Sequence, residues 1–358
     1  MFIKQLFLIF VISYSAVFFL TPWFIKIAQR HKILDKPDKR KIHTKPLPTL
    51  GGIVLYLAFN FALIIALRIN PQFRADFQAY MPGVFLGGFL IIILGIFHDT
   101  IDIRPEVKFL GQIIVALVLF NAGVRIESIT NPFGGEIKLI LPVSMFISVV
   151  WTLVMVNAVN LIDGLDGLAA GLTIISSLSL LAIAILKYDI GSIFIIIALI
   201  GSTLGFLRYN FHPAKIFMGD CGSMFLGFIL SVVSIQGINK MAVTAALLIP
   251  ITALGVPIYD VILSVLRRVV KRVGIFQADR KHIHYRLLDM GITHRHVVLV
   301  LYFMGIYFAI ISYLFVLIPV EYAFILLILL GMGVFSGMQA IAFLEQRLKL
   351  LHKMKSKE

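Results

Sequence analysis

The sequence has little charge and almost no cysteine. Asp, Glu, Lys and Arg together make up only 14% of the 358 residues, whereas 60% are hydrophobic. A soluble domain contains roughly a quarter charged residues, so this scarcity excludes an ordinary soluble globular protein. The single cysteine, Cys221, excludes an internal disulfide. No nucleic-acid-binding module accompanies the net charge of +14, and we expect no nucleic acid among the partners.

Long uncharged apolar runs are present instead. Many approach or exceed the roughly 20 residues that a helix needs to cross a bilayer. They predict an all-α polytopic integral membrane protein with about eleven transmembrane helices in a single domain, 1–358. The first run is too long for a signal-peptide core and lacks a small-residue cleavage site, so we expect it to be retained. The predicted spans are 5–26, 49–67, 81–97, 107–122, 142–160, 168–186, 191–207, 221–237, 242–262, 297–318 and 322–344.

The distribution of charge predicts the orientation of these spans. With the amino terminus outside and the carboxyl terminus in the cytoplasm, 25 of the 32 Lys and Arg fall on the cytoplasmic side. All nine His and 13 of the 18 Asp and Glu fall there too, so the chemistry is predicted to be cytoplasmic. The basic loops also suit contact with the anionic head groups of a lipid bilayer. The polar segments of this face are 26–48, 98–108, 157–167, 208–223 and 263–296.

The largest outer segment, 123–141, alternates apolar and polar residues on both sides of the sequence NPFGG (131–135). This pattern predicts a small external β-hairpin, and a plain ordered loop is the alternative.

Two further sites are interpreted as structural. Asp260, at the inner end of span 242–262, is either a site residue or a partner of Arg267 or Arg268, and we favour the partner. His294 and His296 flank the start of the next span, and we expect both to face solvent.

Short polar motifs precede the predicted spans whose amino-terminal ends face the cytoplasm. Such a helix end has unpaired N–H groups and partial positive charge, so it binds phosphate readily. Caps and turns would explain any one motif alone, since Asp and Asn cap helices and Pro105 suits a first turn. The motifs are DKPDKRKIHTKPLPTLGG (35–52), HDTIDIRPEVK (98–108), NAVNLIDGLDG (157–167), NFHPAKIFMGDCGS (210–223) and DRKHIHYRL (279–287).

Caps alone do not explain why five carboxylates collect at the membrane edge, where charge is costly. Clustered carboxylates beside basic and glycine-rich segments indicate a hard cation that bridges phosphate oxygens. Mg²⁺ fits best, because it takes oxygen ligands from one or two carboxylates and from substrate phosphates, and Mn²⁺ is the alternative. The five acids, not all of which can be ligands, are Asp99, Asp102, Asp163, Asp166 and Asp220.

NAVNLIDGLDGLA, FMGDCGS and PLPTLGG resemble the motifs of the polyprenyl-phosphate N-acetylhexosamine-1-phosphate transferases, and the resemblance runs from about residue 35 to 290. These membrane enzymes move a phospho-sugar from a UDP-sugar to a lipid phosphate. Eleven spans and the motif DRKHIHYRL resemble the bacterial branch that uses UDP-GlcNAc. The branch that uses UDP-MurNAc-pentapeptide typically has ten spans and a histidine triplet.

This resemblance implies Mg²⁺-dependent transfer of GlcNAc-1-phosphate from UDP-GlcNAc to undecaprenyl phosphate, with release of UMP. The reaction would take place at the cytoplasmic face of a bacterial inner membrane and initiate a lipid-linked cell-envelope polysaccharide. Tunicamycin, which mimics UDP-GlcNAc, is expected to inhibit it. Polyprenol length and the presence of a homodimer are left open.

The resemblance also implies roles for individual residues. Asp220 is the best Mg²⁺ ligand, and Asp99 is the active-site acid and a second candidate ligand. Further residues are implied to surround the metal, the nucleotide, the pyrophosphate and the sugar. They are Asn160, Asp163 and Asp166 around nucleotide and metal, Asn210 and Phe217 near the uridine, Lys108 at the pyrophosphate, and Arg280, His282 and His284 at the sugar and phosphates.

Two positions depart from the family pattern. The family usually has an Asp-Asp pair where this chain has His98-Asp99, and its histidine motif usually ends His-His where this chain has His284-Tyr285. A two-step mechanism through an aspartyl-phosphate at position 98 is therefore excluded. We expect a single displacement in which the lipid phosphate attacks directly and His98 donates to a phosphate oxygen or assists Asp99.

Other functions compete with this interpretation. The same chemistry with UDP-GalNAc or UDP-MurNAc-pentapeptide is one alternative, and an inactive family member is another. A secondary transporter would also have broken helices and intramembrane acids. However, the acids cluster at one face, no inverted repeat is visible and the span centres contain almost no polar groups. A scaffold or lipid-binding protein would leave the acids without a role.

Overall fold

The computed structural model describes residues 2–35, 46–130, 136–239 and 282–318, with scattered positions in 251–268 and 325–339. Thirteen of the 21 residues of predicted span 242–262 and 11 of the 23 residues of predicted span 322–344 lie outside the described residues, as does Arg280. The other predicted spans each correspond to one helix. The helices are α1 (Phe2–Arg30), α2 (Gly51–Ile69), α3 (Pro71–Gln78), α4 (Met81–Ile101), α5 (Pro105–Asn121), α6 (Leu141–Ile162), α7 (Leu168–Leu186), α8 (Ile190–Asn210), α9 (Gly219–Asn239), α10 (Ile283–Asp289) and α11 (His294–Leu317).

Within the described residues, eight helices are long and apolar enough to cross a membrane: α1, α2, α4, α6, α7, α8, α9 and α11. The prediction of an all-α polytopic membrane protein is confirmed. Helix α5, predicted as a span, is apolar but has only 17 residues.

Prolines and polar caps define several helix starts. Helices α3 to α6 each have a proline in the first turn, where its missing N–H would be unpaired in any case. Asn70 caps α3, since its side-chain oxygen accepts a hydrogen bond from the Phe73 N–H at 2.7 Å. Helix α3 was not predicted, because its eight residues are too few and too polar for a span.

The predicted hairpin is confirmed, and a second small hairpin occurs before α2. Strands β3 (Ser128–Thr130) and β4 (Glu136–Lys138) pair in antiparallel register. The chain before β3 is fixed to α6, because the Ser144 hydroxyl donates to the Ile126 carbonyl at 2.6 Å. Before α2, the short strands β1 (Leu34–Asp35) and β2 (Leu47–Pro48) also pair in antiparallel register.

Helix α9 is at the centre of the described bundle, where it packs against α2, α4, α6, α7 and α8. Two glycines permit its closest contacts. A Cβ atom at Gly52 of α2 would overlap the backbone of Gly222, and one at Gly95 of α4 would overlap that of Cys221. Both contacts are with the first turn of α9. They therefore bring the start of α2 and the last two turns of α4 to the start of α9.

Candidate active site

The first turn of α9 is capped by a carboxylate from another helix. Asp99, near the end of α4, accepts hydrogen bonds from the backbone N–H groups of Asp220 at 2.9 Å and Cys221 at 3.3 Å. Gly219 begins the helix with a φ of +70° and leaves space for this carboxylate. Asp99 therefore satisfies N–H groups that have no partner within α9 and places negative charge at its positive end. Each of its oxygens retains one further lone pair.

Asp220 lies at the centre of a polar cluster. Its Oδ2 atom makes a close ion pair with the ammonium group of Lys108 from α5. The same ammonium group donates to Oδ1 of Asn160 at 2.9 Å. The amide nitrogen of Asn160 donates to Oδ1 of Asp220 at 3.1 Å and to the hydroxyl of Ser223 at 2.9 Å. The start of α5, the end of α6 and the start of α9 thus meet at one end of the bundle.

His98 belongs to the same cluster. Its Nε2 atom is 3.3 Å from Oδ2 of Asp220, and its Nδ1 atom is 3.2 Å from the carbonyl oxygen of Ile103. The carbonyl can only accept, so it favours a proton on Nδ1 and directs Nε2 toward Asp220. The sequence prediction that position 98 contributes to this site agrees with its location, and its chemical role stays a prediction.

Asp163 immediately follows α6 and is half-buried beside the cluster. No hydrogen bond from the described residues reaches its carboxylate. Burial and the nearby charges of Asp220, Asp99 and Asp166 raise the pKa of this carboxyl well above its usual range. A bound cation would reverse this effect by favouring the charged carboxylate.

Asp166 and Asn210 connect the α6–α7 loop to the chain that follows α8. Oδ2 of Asp166 lies 2.8 Å from Nδ1 of His212 and accepts the Ala214 N–H at 3.1 Å. Asn210 is buried, with its oxygen accepting the Gly167 N–H at 3.1 Å and its nitrogen donating to the Ile216 carbonyl at 3.0 Å. Asn210 thus uses its polar atoms to hold these two segments together, and its place near the uridine stays a prediction.

Phe217 is attached to the start of α2 through its backbone. Its N–H donates to the Pro48 carbonyl at 2.8 Å, and its carbonyl accepts from the Gly51 N–H at 3.1 Å. The ring is half-buried, so one part of it remains accessible to a ligand. This placement suits the predicted position near the uridine, which stays a prediction.

The described part of the histidine motif is held by Asp260, for which the sequence favoured a pairing with Arg267 or Arg268. Arg267 lies outside the described residues. Oδ2 of Asp260 lies 2.7 Å from Nδ1 of His282, and Oδ1 accepts the Ile283 N–H at 3.0 Å. The contacts described for both oxygens are therefore with the His282 segment. Because Asp260 holds Nδ1, the other ring nitrogen of His282 is left for a ligand.

His284 is fully buried against the α6–α7 loop. A Cβ atom at Gly164 would overlap the His284 ring, so the contact requires glycine at this position. Within the described residues, neither ring nitrogen has a hydrogen-bond partner. Burial lowers the pKa of His284 to about 4, so the ring is neutral at neutral pH. His284 therefore packs under the loop.

Comparisons with known proteins show the family of this chain. A family model described as glycosyl transferase family 4 matches residues 81–238, which cover α4 to α9. A protein of Bacillus subtilis named probable undecaprenyl-phosphate N-acetylglucosaminyl 1-phosphate transferase is 39% identical over 304 residues, covering 84% of this chain and 82% of that protein. The chain belongs to the polyprenyl-phosphate N-acetylhexosamine-1-phosphate transferases.

Two other relatives support the same assignment. The decaprenyl-phosphate N-acetylglucosaminephosphotransferase of Mycobacterium leprae is 35% identical over 298 residues, which is 77% of this chain and 75% of that protein. The undecaprenyl-phosphate alpha-N-acetylglucosaminyl 1-phosphate transferase of Escherichia coli is 28% identical over 295 residues, which is 78% of this chain and 77% of that protein. The protein is therefore a glycosyl-1-phosphate transferase, and the transporter and scaffold alternatives are not retained.

Sequence reasoning assigned no site role to Ser223 or His212, and for Asp260 it favoured an arginine partner over a site role. Ser223 supports Asn160, His212 contacts Asp166, and Asp260 orients His282. Ser223 and His212 lie within NFHPAKIFMGDCGS, so the motif itself contained a signal for them. Asp260 is 22 residues from His282, and no local pattern predicts that they pair.

Proposed function

We propose that this transferase moves GlcNAc-1-phosphate from UDP-GlcNAc to undecaprenyl phosphate and releases UMP. The reaction takes place at the cytoplasmic face of a bacterial inner membrane and initiates a lipid-linked envelope polysaccharide. The observation that carries the proposal is the meeting of Lys108, Asn160 and Asp220 at the start of α9. The names of the relatives support it, because they describe transfer of N-acetylglucosamine phosphate to undecaprenyl or decaprenyl phosphate.

The residues of this cluster fit a divalent cation. The Lys108 ammonium already lies between an oxygen of Asp220 and an oxygen of Asn160, so these oxygens accommodate positive charge. Asp163 adds a carboxylate that no described residue neutralises. We assign Mg²⁺, with Mn²⁺ as the alternative, to Asp220 and Asn160, while Asp163 supplies further negative charge and Asp99 offers its remaining lone pairs. When bound, the ion would withdraw charge from the phosphate oxygens.

The transfer itself is a single displacement. An oxygen of the lipid phosphate forms a bond to the β-phosphorus of UDP-GlcNAc, and the bond from this phosphorus to the bridging oxygen breaks, so UMP leaves. The ammonium group of Lys108 moves from Asp220 to the pyrophosphate and compensates the negative charge of the pyrophosphate. When both of its ring nitrogens carry a proton, His98 keeps Nδ1 on the Ile103 carbonyl and donates a hydrogen bond from Nε2 to a phosphate oxygen. The lipid phosphate is largely a dianion at neutral pH, since its second pKa is about 6, and needs no strong base.

The nucleotide is placed by the loops around the cluster. Phe217 offers the exposed part of its ring to the uracil base. Asp166 and Asn210 hold the α6–α7 loop against the chain after α8, and His284 supports this loop from beneath. His282, oriented by Asp260, faces the sugar or its phosphates. Of these residues, Asn210 and His284 act by positioning.

Purified transferase in lipid nanodiscs tests the proposal. With undecaprenyl phosphate and Mg²⁺, UDP-GlcNAc should yield UMP and a lipid-linked GlcNAc-diphosphate, both detected by mass spectrometry. UDP-GalNAc and UDP-MurNAc-pentapeptide serve as alternative donors, and omission of the lipid phosphate is the control. Tunicamycin should inhibit. Turnover of UDP-GalNAc alone would change the assigned sugar, and no UMP from any of the donors would refute the proposed activity.

A further inference from the structure

Three side chains form a second polar cluster that the proposed reaction does not explain. Asp166, His212 and His294 each offer one ligand atom, and these atoms lie within 4.8 Å of one another. Nδ1 of His212 is 2.8 Å from Oδ2 of Asp166. The rings of His212 and His294 are stacked, with 4.2 Å between their centroids and 20° between their planes.

His294 is the unusual member of this cluster. The sequence suggested that it faces solvent, but both of its ring nitrogens are buried and neither makes a well-formed hydrogen bond within the described residues. The backbone of Asp166 lies close to the ring. Buried ring nitrogens without well-formed hydrogen bonds are unfavourable, and a cation bound to one of them would remove part of this penalty.

We propose that Asp166, His212 and His294 bind one transition-metal ion of the Zn²⁺ class. Two imidazole nitrogens and one carboxylate oxygen are the donors that Zn²⁺ and similar ions prefer, with an open position for water or a ligand. Mg²⁺ prefers oxygen donors, so this site is chemically different from the one assigned to Asp220 and Asn160. In a tetrahedral site, metal–donor bonds of roughly 2.0–2.1 Å place the donor atoms about 3.4 Å apart. The three ligand atoms already lie within 4.8 Å of one another, so small side-chain rotations bring them to one ion.

The ion joins three separate parts of the chain. Asp166 comes from the α6–α7 loop, His212 follows α8 and His294 is the first residue of α11. Two hydrogen bonds already connect these parts. The Tyr302 hydroxyl donates to the Gly167 carbonyl at 2.6 Å, and Arg295 donates to the His212 carbonyl at 3.4 Å. We therefore expect metal binding to fix α11 against the α6–α7 loop.

Metal retention tests this inference without an activity assay. Tag-free transferase is stripped with a chelator, incubated with Zn²⁺ or Co²⁺ in the presence of excess Mg²⁺, and desalted. Elemental analysis should find one Zn²⁺ per chain, and the Co²⁺ form should show the visible absorption of a tetrahedral site. Bound Zn²⁺ should also raise the unfolding temperature.

Matched variants distinguish this site from others. His294→Gln and His212→Gln should each weaken Zn²⁺ binding at least tenfold, whereas His296→Gln should not, since His296 is exposed and bonds to Thr293. Asp220→Asn should also retain Zn²⁺, which separates this inference from the proposed function. Monodisperse elution and unchanged helical circular dichroism control for misfolding. Wild-type protein that retains no Zn²⁺ or Co²⁺, or a His294→Gln variant that retains both as wild type does, would overturn the proposal.

Discussion

At the scale of single residues, the site depends on how charge is balanced at the start of α9. The side chains of Asp220 and Lys108 are 25% and 13% exposed, so their ion pair is partly shielded from water. Removing one partner of such a pair leaves an uncompensated charge, which is more costly than at an exposed surface. In the free enzyme, Lys108 balances Asp220, whereas during turnover both residues would serve the pyrophosphate and its cation.

Replacing Asp220 with Asn tests this balance. Asp220→Asn keeps the size of the side chain but removes the anion that we assign to Mg²⁺. We expect at least a 100-fold loss of kcat, comparable with the loss of one preorganised electrostatic group. UMP release measures the effect. Asp102→Asn is the matched control, because Asp102 is exposed and has a left-handed φ of 54° that Asn tolerates. Full activity in Asp220→Asn would show that the metal assignment is wrong.

His98 allows a second test at this scale. Imidazole is the side chain that ordinarily changes charge between pH 5 and 8, whereas a carboxylate does not. His98→Asp, which restores the usual acid pair of the family, should keep measurable activity but change the pH dependence of kcat/KM in this range. The measurement is a pH–rate profile for both enzymes. If the two profiles coincide, His98 has no role in the chemistry.

At the scale of helices, close packing against α9 determines where the site residues lie. Gly95 lets α4 approach Cys221, and four residues later Asp99 reaches the first turn of α9. The cap that Asp99 forms therefore depends on the close contact that Gly95 permits. A side chain at position 95 would separate the helices and pull Asp99 away from the N–H groups that it caps.

Gly95→Ala should therefore lower both stability and activity. The added methyl group has no space, and overpacking typically costs about 1–3 kcal/mol in the free energy of unfolding. Thermal unfolding in detergent and UMP release measure the two effects. Gly237→Ala in α9 is the control, since nothing lies within 4 Å of its added Cβ atom. Equal stability of the two variants would contradict this account of the α4–α9 contact.

Helix α10 carries a pH-dependent contact. Burial lowers the pKa of His284 to about 4 in the folded protein, compared with about 6.5 in an unfolded chain. The unfolded chain therefore takes up a proton first, and the contribution of this contact is complete above pH 6.5 and decreases as the pH falls toward 4. His284→Gln should reduce the loss of thermal stability over this interval. Identical pH dependence in both proteins would show that His284 does not titrate as described.

At the scale of the whole molecule, hydropathy predicted the spans because it is a local property of the sequence. Helix α3 was missed because its eight residues are too few and too polar to give a membrane signal. The motif residues were recognised, but the partners of Asp99 and Asp260 were not. Asp99 caps Asp220, which is 121 positions away, and Asp260 holds His282, which is 22 positions away. Such contacts follow from how helices pack together, and no spacing within one motif specifies them.

The orientation of the bundle in the membrane is a prediction for the intact molecule. The excess of Lys and Arg in the loops beside the active site predicts that this end lies in the cytoplasm, because basic loops are retained there. Tyr188, between α7 and α8, and Lys215, between α8 and α9, are both exposed and lie on opposite sides of α8. A membrane-impermeant maleimide should label Tyr188→Cys in intact cells and Lys215→Cys only after permeabilisation. The native Cys221 is buried and gives little background. Labelling of Lys215→Cys alone in intact cells would reverse the topology and remove the active site from the side where UDP-GlcNAc is available.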